Sequence, residues 1–474
     1  MRLVTIRFPC LVALCALAFA HTVTAATGLV NTNLIRTVNL EQLPFVREQI
    51  GVVVQNEHAS KVFKTYTVLV APEKASHLAS LKVNERKSGK ELDVIELGKD
   101  KYRATLKRPL QPGEKISLNI ETVFMNIVEA RPAQVKQTAD QFWEYVDSPL
   151  VPSVYATKKQ KTTVVPPKGS KPTTLGPYFN SLANGTERVS FMSNAEQLEA
   201  ISHRREYFVS HWANDLNVLD RYQLRNRAPE NDGAFDKVSQ VVSKFMKVRD
   251  NFIKTLLVKV PADAREMYVV DEIGNVSTSI VTGVRRRSSA SEAFKIMLLK
   301  PRYPLLGQWN YTWWHGYSVP LSGYLKTDGS KYILRVPFIG RIAGCASAEQ
   351  ELSVAMAEQP NTAIDAYELR VVLPEGATNI DVKLPLSVDS VRKQPFWYYF
   401  DSTGRTVVVV ERRNVPPNAA DSNILVTYSY VAASLWQKPL VIAGVVFTLF
   451  MLGSVVNRLH LGLTDTSKKR TPKN

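Results

Sequence analysis

The sequence has little cysteine: three residues in 474, of which Cys10 and Cys15 lie within the first fifteen positions. If an N-terminal leader containing those two is removed, the mature chain keeps only Cys345 and can form no internal disulfide. This excludes a small secreted scaffold held together by disulfides. Between the two ends of the chain about 400 residues remain, and we expect them to fold around ordinary hydrophobic cores in two domains.

Catalytic motifs are also lacking. The chain has no H-E-x-x-H, G-x-S-x-G or P-loop motif and no dinucleotide-binding glycine pattern. Histidines are few and show no metal-ligand spacing, so we expect surface or packed positions for them. Those between the two ends are His58, His77, His203, His211 and His315. We therefore assign no catalytic, metal-binding or cofactor-binding residue.

Long apolar runs occur only at the two ends of the chain. Arg2 and Arg7 precede an apolar run over 8–20 and small residues near position 25, which indicates a secretory signal peptide over residues 1–25. A second run, 439–456, has no charge in 18 residues and would extend about 27 Å as a helix, which suits a thin bilayer such as that of the endoplasmic reticulum.

The flanks of the second run distinguish a membrane span from its alternative, a buried core helix. Trp436 precedes the run, and the tail 457–474 contains five basic residues and one acidic residue. Aromatic residues favour the membrane interface and basic residues favour the cytosolic side. The sequence therefore predicts a transmembrane helix over 436–456 and a short basic cytosolic tail. We expect a single-pass type I protein of the endoplasmic reticulum membrane with most of its chain in the lumen.

The net charge limits the choice of partners. The formal charge is +17; the leader contributes +2 and the tail +4, which leaves about +11 on the lumenal part. Nucleic acid is excluded as a partner because the signal peptide takes the chain away from it. The lipid bilayer, phosphorylated lipid carriers and acidic partner surfaces remain, beside the alternative of a basic surface that is merely solvated.

Period-two alternation is the dominant pattern of the lumenal part. It is clearest at Ile116, Leu118 and Ile120, which follow the turn 111–114 and the alternating segment 102–106, so a hairpin is expected there. Similar segments occur at 61–70, 332–338, 405–410 and 423–431. Short strands separated by proline and glycine turns indicate antiparallel sandwiches. The predicted fold is mainly β, with two lumenal antiparallel β-sandwich domains followed by one transmembrane helix.

Helical patterns are few. One is a weak pattern at 194–201, and the other covers 235–248, where apolar residues at helical spacing are expected to pack into a core. These residues are Val238, Val241, Val242 and Phe245. The polar stretch RNRAPENDG, 225–233, is the expected boundary between a first domain over 26–230 and a second over 231–435.

Three Asn-x-Ser/Thr sequons are candidate N-glycosylation sites: Asn184, Asn275 and Asn310. Asn275 is the best candidate because 272–275 has the composition of an exposed hairpin turn. Asn310 lies beside a group of tryptophans and is expected to be less accessible. That group could stack on a sugar, although a core or interface role is favoured. It comprises Trp309, Trp313 and Trp314.

Several stretches, in order along the chain, resemble the ribophorin I family. They are SHWAND (210–215), DEIGNVSTS (271–279), LLKPRYPLLGQWN (298–310), GYSVPLSGYL (316–325), LRVPFI (334–339), VVLPEGA (371–377) and YYFDSTGRTVVVVERRNV (398–415). The resemblance implies a lumenal pair of β-sandwiches, similar to the N-terminal sandwich of some aminopeptidases. It also implies a non-catalytic subunit of the oligosaccharyltransferase complex, which transfers a preassembled oligosaccharide from dolichyl diphosphate to sequons of nascent proteins.

The resemblance also implies partners. These are the catalytic and accessory subunits of that complex and nascent polypeptides, and the family is glycosylated at the asparagine that matches Asn275. Animal members continue into a cytosolic segment that contacts the ribosome; the short tail here leads us to expect no stable ribosome contact. A lumenal cargo receptor or chaperone, or a lectin-like binding protein, remains the alternative, and an aminopeptidase-like hydrolase is disfavoured by the lack of zinc-ligand spacing.

Overall fold

The computed structural model describes residues 28–167, 180–181, 187–246, 251–286, 293–329, 331–345, 362–399 and 401–459. The predicted signal peptide, the sequon at Asn184 and most of the predicted tail lie outside these residues. The described chain is mainly β, and its α-helices are α1 (Pro72–Ala75), α2 (Lys237–Met246) and α3 (Gln437–Arg458). The predicted β class and the apolar C-terminal helix are therefore confirmed.

The first fourteen described strands form an N-terminal unit. They are β1 (Leu29–Asn39), β2 (Phe45–Asn56), β3 (Phe63–Leu69), β4 (Leu78–Glu85), β5 (Val94–Gly98), β6 (Lys101–Leu110), β7 (Lys115–Met125), β8 (Glu129–Ala130), β9 (Gln134–Val135), β10 (Phe142–Asp147), β11 (Ala156–Thr157), β12 (Gln160–Val165), β13 (Asn180–Ser181) and β14 (Glu187–Met192). One sheet has the order β11-β1-β2-β7-β4 with β12 also on β1, and the others have the orders β3-β6-β5 and β13-β14-β10-β8.

The strands β6 and β7 alternate as the sequence predicted, but the expected hairpin between them is wrong. β6 pairs with β3 and β5, whereas β7 pairs with β2 and β4. The turn between them therefore crosses from one sheet to another. The cause is the shared core: Leu106 of β6 and Leu118 and Ile120 of β7 are buried in one cluster, so the two strands face each other across it.

The remaining strands form a C-terminal unit, apart from β17. They are β15 (Leu198–Ser210), β16 (Asp215–Asn226), β17 (Glu230–Asn231), β18 (Thr255–Pro261), β19 (Arg265–Asp271), β20 (Ile280–Val281), β21 (Arg285–Arg286), β22 (Ala293–Leu299), β23 (Asn310–Pro320), β24 (Leu325–Asp328), β25 (Lys331–Pro337), β26 (Arg341–Cys345), β27 (Thr362–Val372), β28 (Thr378–Lys383), β29 (Ser390–Phe396), β30 (Arg405–Val415) and β31 (Asn423–Ser429). Short 3-10 helices cover Leu321–Gly323, Pro417–Asp421 and Ala432–Trp436.

A seven-stranded sheet, β19-β23-β16-β15-β27-β30-β29, is the main layer of the C-terminal unit. Smaller sheets have the orders β20-β22-β18-β26, with β21 also on β22, and β24-β25-β31-β28. Side chains from these three sheets share one large buried cluster. Most strand pairs are antiparallel as expected, but β1 with β12 and β15 with β27 are long parallel pairs.

Residues 194–201, expected as a helix, contribute the start of strand β15. Leu198 pairs with Asn226 on one side and with Thr362 on the other, so β15 lies inside the seven-stranded sheet, and this tertiary context overrides a helical local preference. Because β15 and β16 belong to that sheet, we propose a boundary between Met192 and Leu198, in place of the one expected at residue 230.

Helix α2 occurs where the helical pattern predicted it, but the expectation that its apolar stripe packs into a core is wrong. Val238, Val241 and Val242 are exposed, and Phe245 is 83% exposed. Contacts lie just before the helix instead: Asp236 N donates to Gln137 Oε1 (3.1 Å), and Phe235 packs edge-on against the buried Phe252.

Candidate functional site

A cleft of about 830 Å³ lies between the two units. The units also touch in a buried cluster, in which Phe45, Ala79, Val123 and Met125 of the N-terminal unit pack with Ala363 of β27. Polar contacts reinforce this junction, because Arg412 Nη2 donates to Ala79 O (2.7 Å) and Asn414 Nδ2 donates to Ser76 O (2.8 Å).

A carboxyl pair lies in the wall of this cleft. Glu199 of β15 and Asp365 of β27 are on neighbouring parallel strands, and both accept hydrogen bonds from Asn126 Nδ2, at 2.8 and 2.9 Å. Asn126 has a φ of 57°, a left-handed conformation that asparagine tolerates better than most residues. One side chain of the N-terminal unit thus bridges two carboxyl groups of the C-terminal unit.

The surroundings of the pair favour the protonated form of Asp365. Burial, and then the hydrogen bond and negative charge of Glu199, raise the pKa of Asp365 to about 7. Glu199 is nearly inaccessible and is also bound by Arg225, whose Nε donates to Glu199 Oε2 (2.6 Å). Arg227 lies 3.9 Å from the same carboxylate. The site therefore brings two carboxyl groups and two arginines together between the units, where they can donate and accept hydrogen bonds.

Sequence reasoning missed this cleft. Its residues come from segments that are distant in the chain; Asn126 and Asp365, for example, are 239 positions apart. Isolated acidic and basic residues on alternating strands carry no signal of which strand will lie beside them.

The histidines occupy packed or surface positions in the described residues. His203 Nε2 lies 2.8 Å from Asp220 Oδ1, and His315 Nε2 lies 3.5 Å from Asp220 Oδ2, within a fully buried cluster that Arg205 completes. Burial lowers the pKa of His203, so this imidazole is neutral at pH 7. No group of three or more histidine, cysteine, aspartate or glutamate side chains positioned to hold a metal occurs in the part of the chain that the structure describes.

The tryptophan group is divided between core and surface. Trp313 is completely buried and stacks on Tyr222, with ring centroids 4.9 Å apart. Trp314 lies under the guanidinium group of Arg221, and Trp309 is partly exposed on the preceding loop. The core role favoured by the sequence is confirmed for Trp313, and the three rings do not form one continuous sugar-stacking platform.

Asn275 lies in the exposed turn after β19. Asp271 Oδ1 accepts hydrogen bonds from the backbone N–H groups of Ile273 and Gly274, both at 3.0 Å. Arg302 pairs with Asp271 and also donates to the carbonyl of Asn275 (3.2 Å). The hairpin turn predicted at this sequon is present, because Val276 N donates to Val269 O (2.9 Å) across it. The asparagine side chain is exposed.

Asn310 begins strand β23 and is exposed, although the sequence suggested low accessibility. It pairs with Arg225 across the ladder, and its carbonyl accepts a hydrogen bond from Tyr303 OH (2.8 Å). Alternation along β23 explains the exposure, because Asn310 lies on the face opposite the buried Tyr311 and Trp313. Asn184, the third predicted site, lies outside the described residues.

The helical segment Ala433–Arg458 is long and apolar enough to cross a membrane, by length and composition. It comprises 26 residues, including α3, and none of its most apolar window is buried against the rest of the described chain. The expected span over 436–456 falls within it. A helix that is apolar all round and unpacked is typical of a membrane span.

Comparison with known proteins gives the family. The model of the family described as Ribophorin I matches residues 29–457 of this chain. The chain belongs to the ribophorin I family. The match covers the whole described β structure and nearly all of the apolar helix, so this member of the ribophorin I family is recognised over both units rather than over one module.

Curated relatives agree with this assignment. The chain is 30% identical over 381 residues to dolichyl-diphosphooligosaccharide–protein glycosyltransferase subunit 1B of Arabidopsis thaliana, covering 76% of each chain. It is 27% identical over 406 residues to subunit 1 of the corresponding Caenorhabditis elegans enzyme, covering 82% of this chain. The match spans 64% of the length of the worm relative.

A solved structure is also similar in part to this ribophorin I family protein. The M1 zinc metallopeptidase of Deinococcus radiodurans aligns with 39% of this chain and 48% of its own, at 15% identity and a TM-score of 0.20.

Proposed function

We propose that this protein is a non-catalytic subunit of an oligosaccharyltransferase, the complex that transfers a preassembled oligosaccharide from dolichyl diphosphate to Asn-x-Ser/Thr in nascent proteins. The observation that carries the proposal is the family match over residues 29–457. It is supported by relatives whose names describe them as subunit 1 of dolichyl-diphosphooligosaccharide–protein glycosyltransferases. In this proposal the catalytic groups belong to another subunit.

The packing of the histidines supports a non-catalytic role. His203 and His315 are closed inside the core with Asp220, where a substrate has no access. Such a cluster joins β15, β16 and β23 and stabilises the seven-stranded sheet. A general base, by contrast, has to lie within hydrogen-bonding reach of the proton it removes.

The apolar helix is the proposed membrane anchor. We propose that it crosses the endoplasmic reticulum membrane once, with the two units in the lumen and the basic tail in the cytosol. The length of the helix supports a membrane span, and the distribution of charge around it supports this orientation. Anchoring would hold the lumenal units beside the other membrane subunits of the complex.

The cleft between the units is the proposed site for handling the acceptor chain. It is open, lined by both carboxylates and arginines, and large enough for a few residues of extended polypeptide. Holding an acceptor near a catalytic subunit raises its effective concentration and restricts its orientation, both of which increase the transfer rate. In this proposal the acceptor binds in the cleft and does not have to pair with the edge of a sheet.

The chain is also a proposed substrate of the reaction. Asn275 and Asn310 are both exposed, and the turn at Asn275 presents its asparagine beyond the end of β19. We propose that both are glycosylated, with Asn184 as a further candidate. Neither asparagine lies in the cleft between the units.

Membership of the complex can be tested by purification. A C-terminally tagged chain would be solubilised in mild detergent, and the proteins recovered with it would be quantified by mass spectrometry. We expect the catalytic transferase subunit in near-equal amount and sequon-transfer activity in the eluate. Recovery of the chain alone, or with diverse cargo proteins, would sink the proposal in favour of a receptor or chaperone. Glycan-array binding by the purified chain would favour the lectin-like alternative.

The role of the cleft needs a separate variant. Arg413 lines the cleft with an exposed side chain, whereas Lys383 is exposed outside it. We expect Arg413→Glu to leave recovery of the complex unchanged and to raise KM for acceptor peptides, because it reverses a charge on the path of the acceptor. Lys383→Glu is the matched control and should change neither. Equal KM values for the two variants would remove the cleft from acceptor handling.

A further inference from the structure

The hairpin loop between β29 and β30 is bound to the first turn of α3. Lys438 Nζ lies 2.8 Å from Asp401 Oδ1, and it also donates to Tyr399 O (3.2 Å). The side chain of Asp401 is fully inaccessible, and Arg405 binds it from the other side. The ion pair is therefore shielded from water, which strengthens it relative to a surface pair. The loop and the first turn of the helix are therefore bound to each other at this end of the molecule.

A second loop closes against the same junction. Glu375 Oε1 accepts hydrogen bonds from the backbone N–H groups of Ser402 (2.6 Å) and Thr403 (2.7 Å). These two bonds hold the β29–β30 loop against the segment that contains Glu375. The next residue, Gly376, has a φ of +86°, and a Cβ there would lie 2.7 Å from Ser434 Oγ, just before α3. The chain thus enters the helix through a tightly packed corner.

Large aromatic side chains surround this corner and face outward. Trp397 is 62% exposed, Tyr399 is 79% exposed, and Trp436, at the helix entrance, is 66% exposed. Local packing holds the loop that presents them: the Trp397 ring lies against Gly404, and Tyr398 lies under Lys438. Single exposed rings are ordinary on a protein surface, whereas three at one corner indicate a surface that something covers.

A third loop brings another exposed ring to the same end. His211, in the turn between β15 and β16, stacks on Tyr430, with ring centroids 4.5 Å apart. Tyr430 immediately precedes the exposed Val431, which leads into the helix. Trp212, beside His211, is 68% exposed. The loop 210–215 therefore lies at the end of the C-terminal unit from which the anchor leaves.

We propose that these rings, Trp212, Trp397, Tyr399 and Trp436, form an aromatic belt that lies in the lumenal headgroup region of the phospholipid bilayer and seats the C-terminal unit on the membrane. The inference rests on the proposed membrane span. Tryptophan and tyrosine favour this region because their apolar rings contact acyl chains while their N–H and O–H groups stay hydrated. The rings adjoin the span, so the lipid surface begins where they are.

The contacts between the β29–β30 loop and the start of α3 also affect how the C-terminal unit is oriented on the membrane. A helix joined to a domain by a loose linker would let the domain tilt freely, but here Lys438, Asp401 and Gly376 hold the two together. With the rings in the interface, the C-terminal unit would have one preferred face toward the membrane. The cleft between the units would then keep a constant height above the bilayer.

Photo-crosslinking in native membranes tests the belt in the intact chain. The substitutions Trp397→p-benzoylphenylalanine and Tyr399→p-benzoylphenylalanine place a group that attaches to nearby C–H bonds on illumination. Phe450→p-benzoylphenylalanine, inside the exposed face of α3, is the positive control for lipid contact. Trp309→p-benzoylphenylalanine is the negative control, because Trp309 is exposed and lies beside Asn226, at the end of β16 opposite the turn 210–215. Adducts are identified by mass spectrometry of the purified chain.

We expect phospholipid adducts at positions 397 and 399 in several-fold higher yield than at position 309, approaching the yield at 450. Adducts with another protein at 397 and 399 would overturn the proposal and show that a subunit covers this corner. A lipid adduct at 450 without one at 397 or 399 would also overturn it. If position 450 also gave no lipid adduct, the helix would not span the membrane and the proposed belt would be wrong as well. Membership of the complex is tested separately, by co-purification.

Discussion

A buried cluster of four charges in the N-terminal unit makes a sharp stability prediction. Lys74 Nζ and Arg36 Nη2 each lie 2.7 Å from Glu48 Oε1, and both also pair with Asp147. Tyr145 OH donates to Asp147 Oδ2 (2.6 Å). All four charged side chains are at most 10% exposed. Two cations and two anions therefore balance inside the protein, on β1, β2, α1 and β10.

Removing one cation breaks this balance. In Lys74→Met, Arg36 alone faces two buried carboxylates, and removal of one partner from a buried ion pair costs about 3–5 kcal/mol. At about 1.4 kcal/mol per factor of ten, the local unfolding equilibrium should rise by roughly two to three and a half orders of magnitude. The double variant Lys74→Met with Asp147→Asn restores one cation and one anion, so it should recover part of the loss.

Hydrogen exchange read by mass spectrometry measures this effect locally. Peptides covering β2 and β10 should exchange faster in Lys74→Met by the stated factor, while a peptide covering β27 in the C-terminal unit should not change. The reasoning would be refuted by a change of less than tenfold in β10. It would also be refuted if the double variant were no better protected than the single one, because charge balance would then not be the cause.

Three further predictions concern the cleft, α2 and the glycans. The folded-state pKa of Asp365, about 7, is above its unfolded value near 4, so the folded state binds the proton more tightly and stability should fall as pH rises from about 4 to about 7. Asp365→Asn should flatten the dependence of Tm on pH, and an unchanged slope would contradict the raised pKa. Phe245→Ser should change the free energy of unfolding by less than about 0.5 kcal/mol because the ring is exposed, whereas Phe252→Ala should cost about 3–5 kcal/mol because that ring is buried. Equal shifts in Tm for the two variants would show that α2 packs into a core. Asn275→Gln should remove one glycan, seen as one step of faster migration on a gel, and no step would mean that this exposed sequon is unused.

Local patterns predicted much of the β structure. The alternation at 116–124 corresponds to β7, and those at 332–338 and 423–431 correspond to β25 and β31, because burial of every second side chain is a property of one strand. The same patterns could not say which strands pair. The supposed β6–β7 hairpin became a crossing between sheets, and residues 194–201 joined a strand because two neighbours were available to bind it.

The helix α2 separates pattern from burial. Its 3.6-residue period predicted a helix correctly, since the period depends on the spacing of apolar side chains alone. Whether the apolar stripe meets a core depends on what lies opposite, and here the described chain leaves Val238 and Phe245 exposed. The spacing of apolar residues therefore predicted the secondary structure, and only the packing of other segments decided whether those side chains are buried.

By itself the sequence determined the mainly β class, the apolar C-terminal helix and the family, because alternation, an uncharged run of 18 residues and short ordered motifs are all local properties of the chain. Tertiary structure alone decided the cleft, the raised pKa of Asp365 beside Glu199, and the four-charge cluster. These depend on residues that lie far apart in the chain, such as Arg36 and Asp147, and a charge is stabilised only by the groups that folding brings within a few ångströms of it.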